Sequence, residues 1–104
     1  MHIAARLTLA TALVFAASAA SADTISIEIK GFKFNPPDAK AKVGDTIEWK
    51  NLDSAPHTAT AGDGTFDLTI APGGTGSFTP TAAGAFAYIC MFHRSMKGTL
   101  TVAE

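Results

Sequence analysis

The stretch Tyr88-Ile89-Cys90-Met91-Phe92-His93-Arg94-Ser95-Met96-Lys97-Gly98 sets a thiol, an imidazole and a thioether at the spacing Cys-x-x-His-x-x-Met. The runs on either side alternate. Phe86, Tyr88 and Cys90 share one face before the segment, and Leu100 and Val102 share one after it, so the three side chains belong to a loop between two strands. Cys and Met are soft donors that favour reduced copper, while imidazole suits both oxidation states. Two His with one Cys and a weak axial Met form the trigonal copper site of electron-transfer centres. The loop supplies Cys90, His93 and Met96 and leaves one His to be found.

Counting residue types narrows the search. The 104 residues include one Cys, three His and three Met. Met1 and His2 belong to an N-terminal segment that reads as a secretory signal peptide. It has a short basic start with Arg6, an uncharged apolar run over 7–17, and the A-x-A cleavage motif Ala20-Ser21-Ala22. The apolar run falls short of the roughly 20 residues that cross a bilayer. The expected organisation is therefore a signal peptide over 1–22 and one domain over 23–104, exported to the periplasm with no membrane attachment after cleavage. Cys90, His57, His93, Met91 and Met96 remain. A lone Cys in an exported chain cannot close an internal disulfide and needs another explanation, a reactive thiol or a ligand. His57 is either an ordinary loop histidine or the missing ligand, supplied from a different strand so that the metal would tie two sheets together. Met91 is a competing thioether assigned to packing or to a docking surface, because adjacent side chains diverge from an extended Cys90.

The rest of the chain reads as strands. Ile25, Ile27 and Ile29 alternate with Ser26, Glu28 and Lys30, and residues 31–34 continue in the other phase until Asn35-Pro36-Pro37. Ala41 and Val43 are expected inward, followed by a tight turn at Val43-Gly44-Asp45-Thr46 and by Ile47 and Trp49 on a buried face. Asn51 to Pro56 forms a polar loop ahead of His57. Phe66, Leu68 and Ile70 mark a further strand, and Phe78 centres another. No helical periodicity occurs after the leader. The expected fold is all-β: an antiparallel Greek-key β-sandwich of about seven to eight strands. Eight Lys and Arg against nine Asp and Glu give a net charge of −1, and without a basic stripe no nucleic-acid partner is expected. The domain is expected to be a monomer.

The sequence resembles the cupredoxins, the small blue copper proteins, and most of all the amicyanins and other plastocyanin-like members. Matching segments are Gly31-Phe32-Lys33-Phe34, Val43-Gly44-Asp45-Thr46-Ile47-Glu48-Trp49, Ala55-Pro56-His57, the strand from Gly84 to Cys90, and Met96-Lys97-Gly98-Thr99-Leu100. The resemblance implies one copper per chain, cycling between Cu(I) and Cu(II), held by His57, Cys90 and His93 with Met96 as the weak axial ligand. It implies a non-enzymatic carrier of single electrons between periplasmic redox partners, a donor dehydrogenase or a cytochrome c-like acceptor. A copper-binding or trafficking protein on the same fold is the alternative. Copper oxidases and reductases need further histidines that this chain lacks.

The departures from the family pattern carry expectations of their own. Relatives place Asn after the upstream His and Ser or Thr after the Cys, where this chain has Thr58 and Met91, which predicts a weaker brace between the ligand loops. Phe92 stands where amicyanin-like loops carry Pro, and its N–H, if aimed at the Cys90 sulfur, would raise the reduction potential. Met91, Phe92 and Ala59 are expected to form the apolar patch through which His93 emerges, with Arg94 at its rim.

Overall fold

The computed structural model describes residues 21–104; the basic start and apolar run of the expected signal peptide lie outside the described residues. Among the described residues nine strands occur in order: β1 (Thr24–Ile29), β2 (Phe34–Asn35), β3 (Asp38–Lys42), β4 (Thr46–Asn51), β5 (His57–Ala61), β6 (Asp67–Ile70), β7 (Thr75–Phe78), β8 (Gly84–Ile89) and β9 (Lys97–Ala103). They form a four-stranded sheet in the order β2-β1-β4-β7 and a five-stranded sheet in the order β3-β9-β8-β5-β6. The all-β sandwich is as the periodicity predicts, and the ninth strand is the two-residue β2.

Alternation sets the faces. Ile27 and Ile29 of β1, Ile47 and Trp49 of β4, Tyr88 of β8, and Leu100 and Val102 of β9 are buried between the sheets. Burying one such side chain is worth about 1.5–3 kcal/mol. Aromatic rings fill the centre. Trp49 lies 5.5 Å from Tyr88 and 5.3 Å from Phe66, centroid to centroid, and Phe34 lies 4.7 Å from Tyr88. The Trp49 indole N–H donates to the Tyr88 hydroxyl at 3.3 Å, which satisfies two polar atoms that would otherwise be stranded.

Three local expectations are corrected. The sandwich is not wholly antiparallel, because β1 pairs parallel with β4 and β3 pairs parallel with β9; alternation reports faces and carries no strand direction. Residues 31–33 leave β1 in a turn instead of extending it, with Gly31 at φ 63° and Phe32 at φ 59°. Val43 is 37% exposed and not inward, since β3 ends at Lys42 and Val43 opens the turn into β4.

Candidate metal centre

The site is assembled at one end of the five-stranded sheet. His57 opens β5, Cys90 follows directly on β8, and His93 lies in the loop that leads into β9. Because β5 and β8 are neighbours in that sheet, the ligand candidates tie adjacent strands of one sheet, and the expectation of a link between the two sheets is not met. The three residues bring their donor atoms within 4.8 Å of one another. Cys90 Sγ stands 3.6 Å from His57 Nδ1 and 4.0 Å from His93 Nδ1. A thiolate and an imidazole bound to one ion at usual bond lengths stand no more than about 4.4 Å apart, so both separations suit a shared ion. Cys90 and His57 are fully buried and His93 is half-buried.

The loop is closed by its own backbone. Cys90 N–H donates to the Met96 carbonyl at 3.1 Å and Met96 N–H donates to the His93 carbonyl at 2.9 Å. Met96 itself is buried beside this turn.

Two residues that no motif assigns to the site prove central to its geometry. Asp53 Oδ2 lies 2.9 Å from His57 Nε2. With that nitrogen carrying its proton toward the carboxylate, Nδ1 is left free to face the sulfur, and such outer partners fix ring orientation and raise ligand basicity. Asp53 also accepts Gly31 N–H at 2.8 Å and Phe32 N–H at 2.9 Å. Burial pushes its carboxyl up, but the Phe32, Gly31 and His57 donors together hold it below the usual carboxylate range.

Asp53 is placed by Asn51, a fully buried amide. Its Nδ2 donates to the carbonyls of Ala55 and Ile70 at 2.8 and 3.1 Å, and its Oδ1 accepts Asp53 N–H at 2.9 Å. The second residue is Phe32. The turn that Asp53 anchors sets its ring edge-on to both imidazoles, 4.9 Å from His57 and 4.7 Å from His93. A non-glycine residue at positive φ costs of order 1–3 kcal/mol and persists where its surroundings over-determine it; the carboxylate and the two rings do that here. The available signals were Gly31 ahead of Phe32 and an acid four residues before His57, and neither is a motif on its own.

The expected weakness of the brace is overturned. Thr58 Oγ1 accepts Met91 N–H at 2.8 Å, and Thr58 N–H donates to Cys90 Sγ at 3.3 Å. A threonine hydroxyl bonded to main chain replaces a link between two side chains, so the side chain at Met91 is not needed for it. The backbone donor on the sulfur is therefore Thr58; among the described residues Phe92 N–H makes no such bond, so the expected influence of Phe92 on the potential has no hydrogen bond behind it. Phe92 and Met91 are exposed, at 55% and 43%, as expected for a patch, but Ala59 is fully buried in β5 and Phe32, 46% exposed, takes its place beside His93.

A two-sheet sandwich with a His-Cys-His cluster at one end of a sheet defines a cupredoxin, and the Cupredoxin-like domain family matches residues 3–102. The chain belongs to that family. Within it the chain is similar to amicyanin from Paracoccus denitrificans, 31% identical over 94 residues that cover 85% of this chain and 72% of the relative. Amicyanin-alpha from Methylorubrum extorquens is 30% identical over 100 residues, covering 90% and 84%. Among solved structures, a methionine-to-alanine variant of amicyanin in its Cu(I) form superposes with a TM-score of 0.70 at 29% identity, over 76% of this chain and 81% of that one. A purple cupredoxin from Nitrosopumilus maritimus, at 24% identity and a TM-score of 0.68, shares the fold.

Proposed function

We propose that the chain is a blue copper electron carrier in which His57, Cys90 and His93, with Met96 as a weaker fourth donor, would hold one copper ion. The observation that carries this reading is the convergence of the chain's one thiol with two imidazole Nδ1 atoms, at 3.6 and 4.0 Å. One thiolate and two imidazoles are the equatorial donors of an electron-transfer copper site. When bound, copper supplies one-electron chemistry by alternating between Cu(I) and Cu(II).

The protein's own task is to keep the donors still. Asp53 fixes the His57 ring. Thr58 holds both the Cys90 sulfur and the peptide that follows it. The loop from Cys90 to Met96 is closed by main-chain bonds at both ends. Donors locked by packing and by outer hydrogen bonds hold a single geometry, which suits a centre that must change charge without rearranging. His93 is the half-buried ligand and the route outward. Exposed Met91, Phe92 and Phe32 offer apolar contact there, and Arg94 favours a partner bearing carboxylates. The partners are redox proteins of the periplasm, a donor dehydrogenase or a cytochrome c-like acceptor, met by a monomer after removal of residues 1–22. A trafficking role drew its support from a loosened brace, and the Thr58 clamp takes that support away.

The test is to load the protein with copper and compare electron exchange with metal loss. Reversible one-electron voltammetry with copper retained against a chelator is the expected result. Rapid surrender of copper to the chelator, with sluggish electron exchange, would contradict the electron-carrier reading.

A further inference from the structure

Asp45 lies in the turn between β3 and β4, outside the candidate metal centre, and is 2% exposed. Its Oδ2 accepts Lys42 N–H at 2.8 Å and so closes its own turn. Its Oδ1 accepts Asp23 N–H at 2.9 Å. The Asp23 carbonyl accepts Thr46 N–H at 2.9 Å, and the parallel β1–β4 ladder begins one residue later, at Thr24 opposite Thr46. Asp23 is thus gripped on both sides. Ser21 and Ala22 just before it are exposed and outside any strand, and they complete the motif Ala20-Ser21-Ala22 that reads as a cleavage site.

Hydrolysis of the Ala22–Asp23 peptide adds water across the C–N bond. Ala22 leaves as a carboxylate, and the Asp23 nitrogen becomes a primary ammonium. That nitrogen already sits in hydrogen-bond contact with a carboxylate, so no rearrangement is required. We propose that Asp45 is the receptor for the mature N terminus, and that cleavage exchanges a neutral amide donor for an α-ammonium on a carboxylate already seated to take it. This rests on the reading that the chain is exported and cut before Asp23.

A charge-assisted bond is about twice as strong as a neutral one, and it would act at an N-terminal strand, the segment most prone to fray unless tied down. Capture of a terminal amine is a recognised binding mode. The Asp23 and Lys42 backbone N–H groups already hold the Asp45 carboxyl below its usual range. The other charges nearby are Lys42, whose Nζ lies 3.9 Å from Asp23 Oδ2, the Asp23 carboxylate itself, and Glu104, which follows the Ala103 carbonyl that accepts Val43 N–H.

Pairing with a carboxylate raises the amine above its ordinary value of about 8. Its contribution to stability is therefore complete below that value and is lost as pH rises through the raised one. The Asp45 contribution is present above the ordinary carboxylate value and is lost as pH falls through its lowered one.

Two measurements separate the premise from the proposal. The mass of the protein recovered after export should correspond to a chain starting at Asp23; a different start contradicts the cleavage reading and with it the natural use of this receptor. Independently, denaturant unfolding is compared for chains starting at Asp23, starting at Ser21, and starting at an N-acetylated Asp23. At about pH 6 the free Asp23 chain should have a folding constant several-fold to about tenfold larger than the other two, with the gap closing by about pH 10. Asp45→Asn should remove the gap. Equal stabilities at about pH 6, or a gap that survives at about pH 10, would overturn the assignment without any substitution being needed.

Discussion

Asp53 accepts hydrogen bonds from the His57 ring and from two backbone amides of the turn that carries Phe32, so a single carboxylate sets both the orientation of His57 and the turn whose ring packs edge-on against it. Removing the outer partner of a metal-bound imidazole typically costs 10–100-fold in metal affinity. Asp53→Ala is expected to fall in that range when copper binding is measured by chelator competition. Asp53→Asn, which keeps an acceptor but no charge, should fall between Ala and the native residue. Tyr88 offers a cleaner titration, because it is the chain's one tyrosine. Burial pushes its phenol up to about 12, with the Trp49 hydrogen bond opposing and Asp38 adding to the rise. The folded state thus keeps a proton that the unfolded state gives up near pH 10. Stability should fall by about 3 kcal/mol between about pH 10 and pH 12, and a 295 nm absorbance titration should show the late ionisation. Tyr88→Phe should lose that pH dependence.

Strands were legible where a face was buried and misleading where it was not. Ile27 and Ile29, Ile47 and Trp49, and Leu100 and Val102 are all buried as their alternation predicts, because a period of two is what a half-buried strand imposes on sequence. The same alternation over residues 31–34 is accidental: the chain turns there, held by a carboxylate from a different loop, and nothing local to residues 31–34 encodes that acceptor. Parallel pairing of β1 with β4 and of β3 with β9 was hidden for the same reason, since partner and direction are settled by tertiary packing. The pairing of β8 with β9 has a direct consequence. Gly98 lies opposite Tyr88, and a Cβ added there would collide with the Tyr88 ring and hydroxyl. Gly98→Ala should therefore cost about 1–3 kcal/mol, lowering the melting temperature by about 4–8 °C per kcal/mol. Gly62→Ala is the control: its added Cβ would meet nothing nearer than a carbonyl oxygen at 3.9 Å, and it should melt close to the native protein.

At the scale of the molecule, the candidate ligands could be named from the sequence because so few residues were eligible; once residues 1–22 are set aside, His57, Cys90 and His93 are the only imidazoles and the only thiol. What surrounds them could not be read in advance. Asp53, Phe32 and the Thr58 clamp act through main-chain groups, a carboxylate and ring edges brought together from two turns and the start of β5, and such contacts leave no spacing in a sequence. The sandwich thus delivers three donors to one end of one sheet and packs a second layer of residues to hold them there. The most direct test is to add copper(II) to the protein with residues 1–22 removed and record its visible spectrum, alongside Cys90→Ser. An intense thiolate-to-copper absorption that appears at one copper per chain and vanishes in Cys90→Ser is the predicted result. A protein that stays colourless with copper, or a band that persists without the sulfur, would contradict the account.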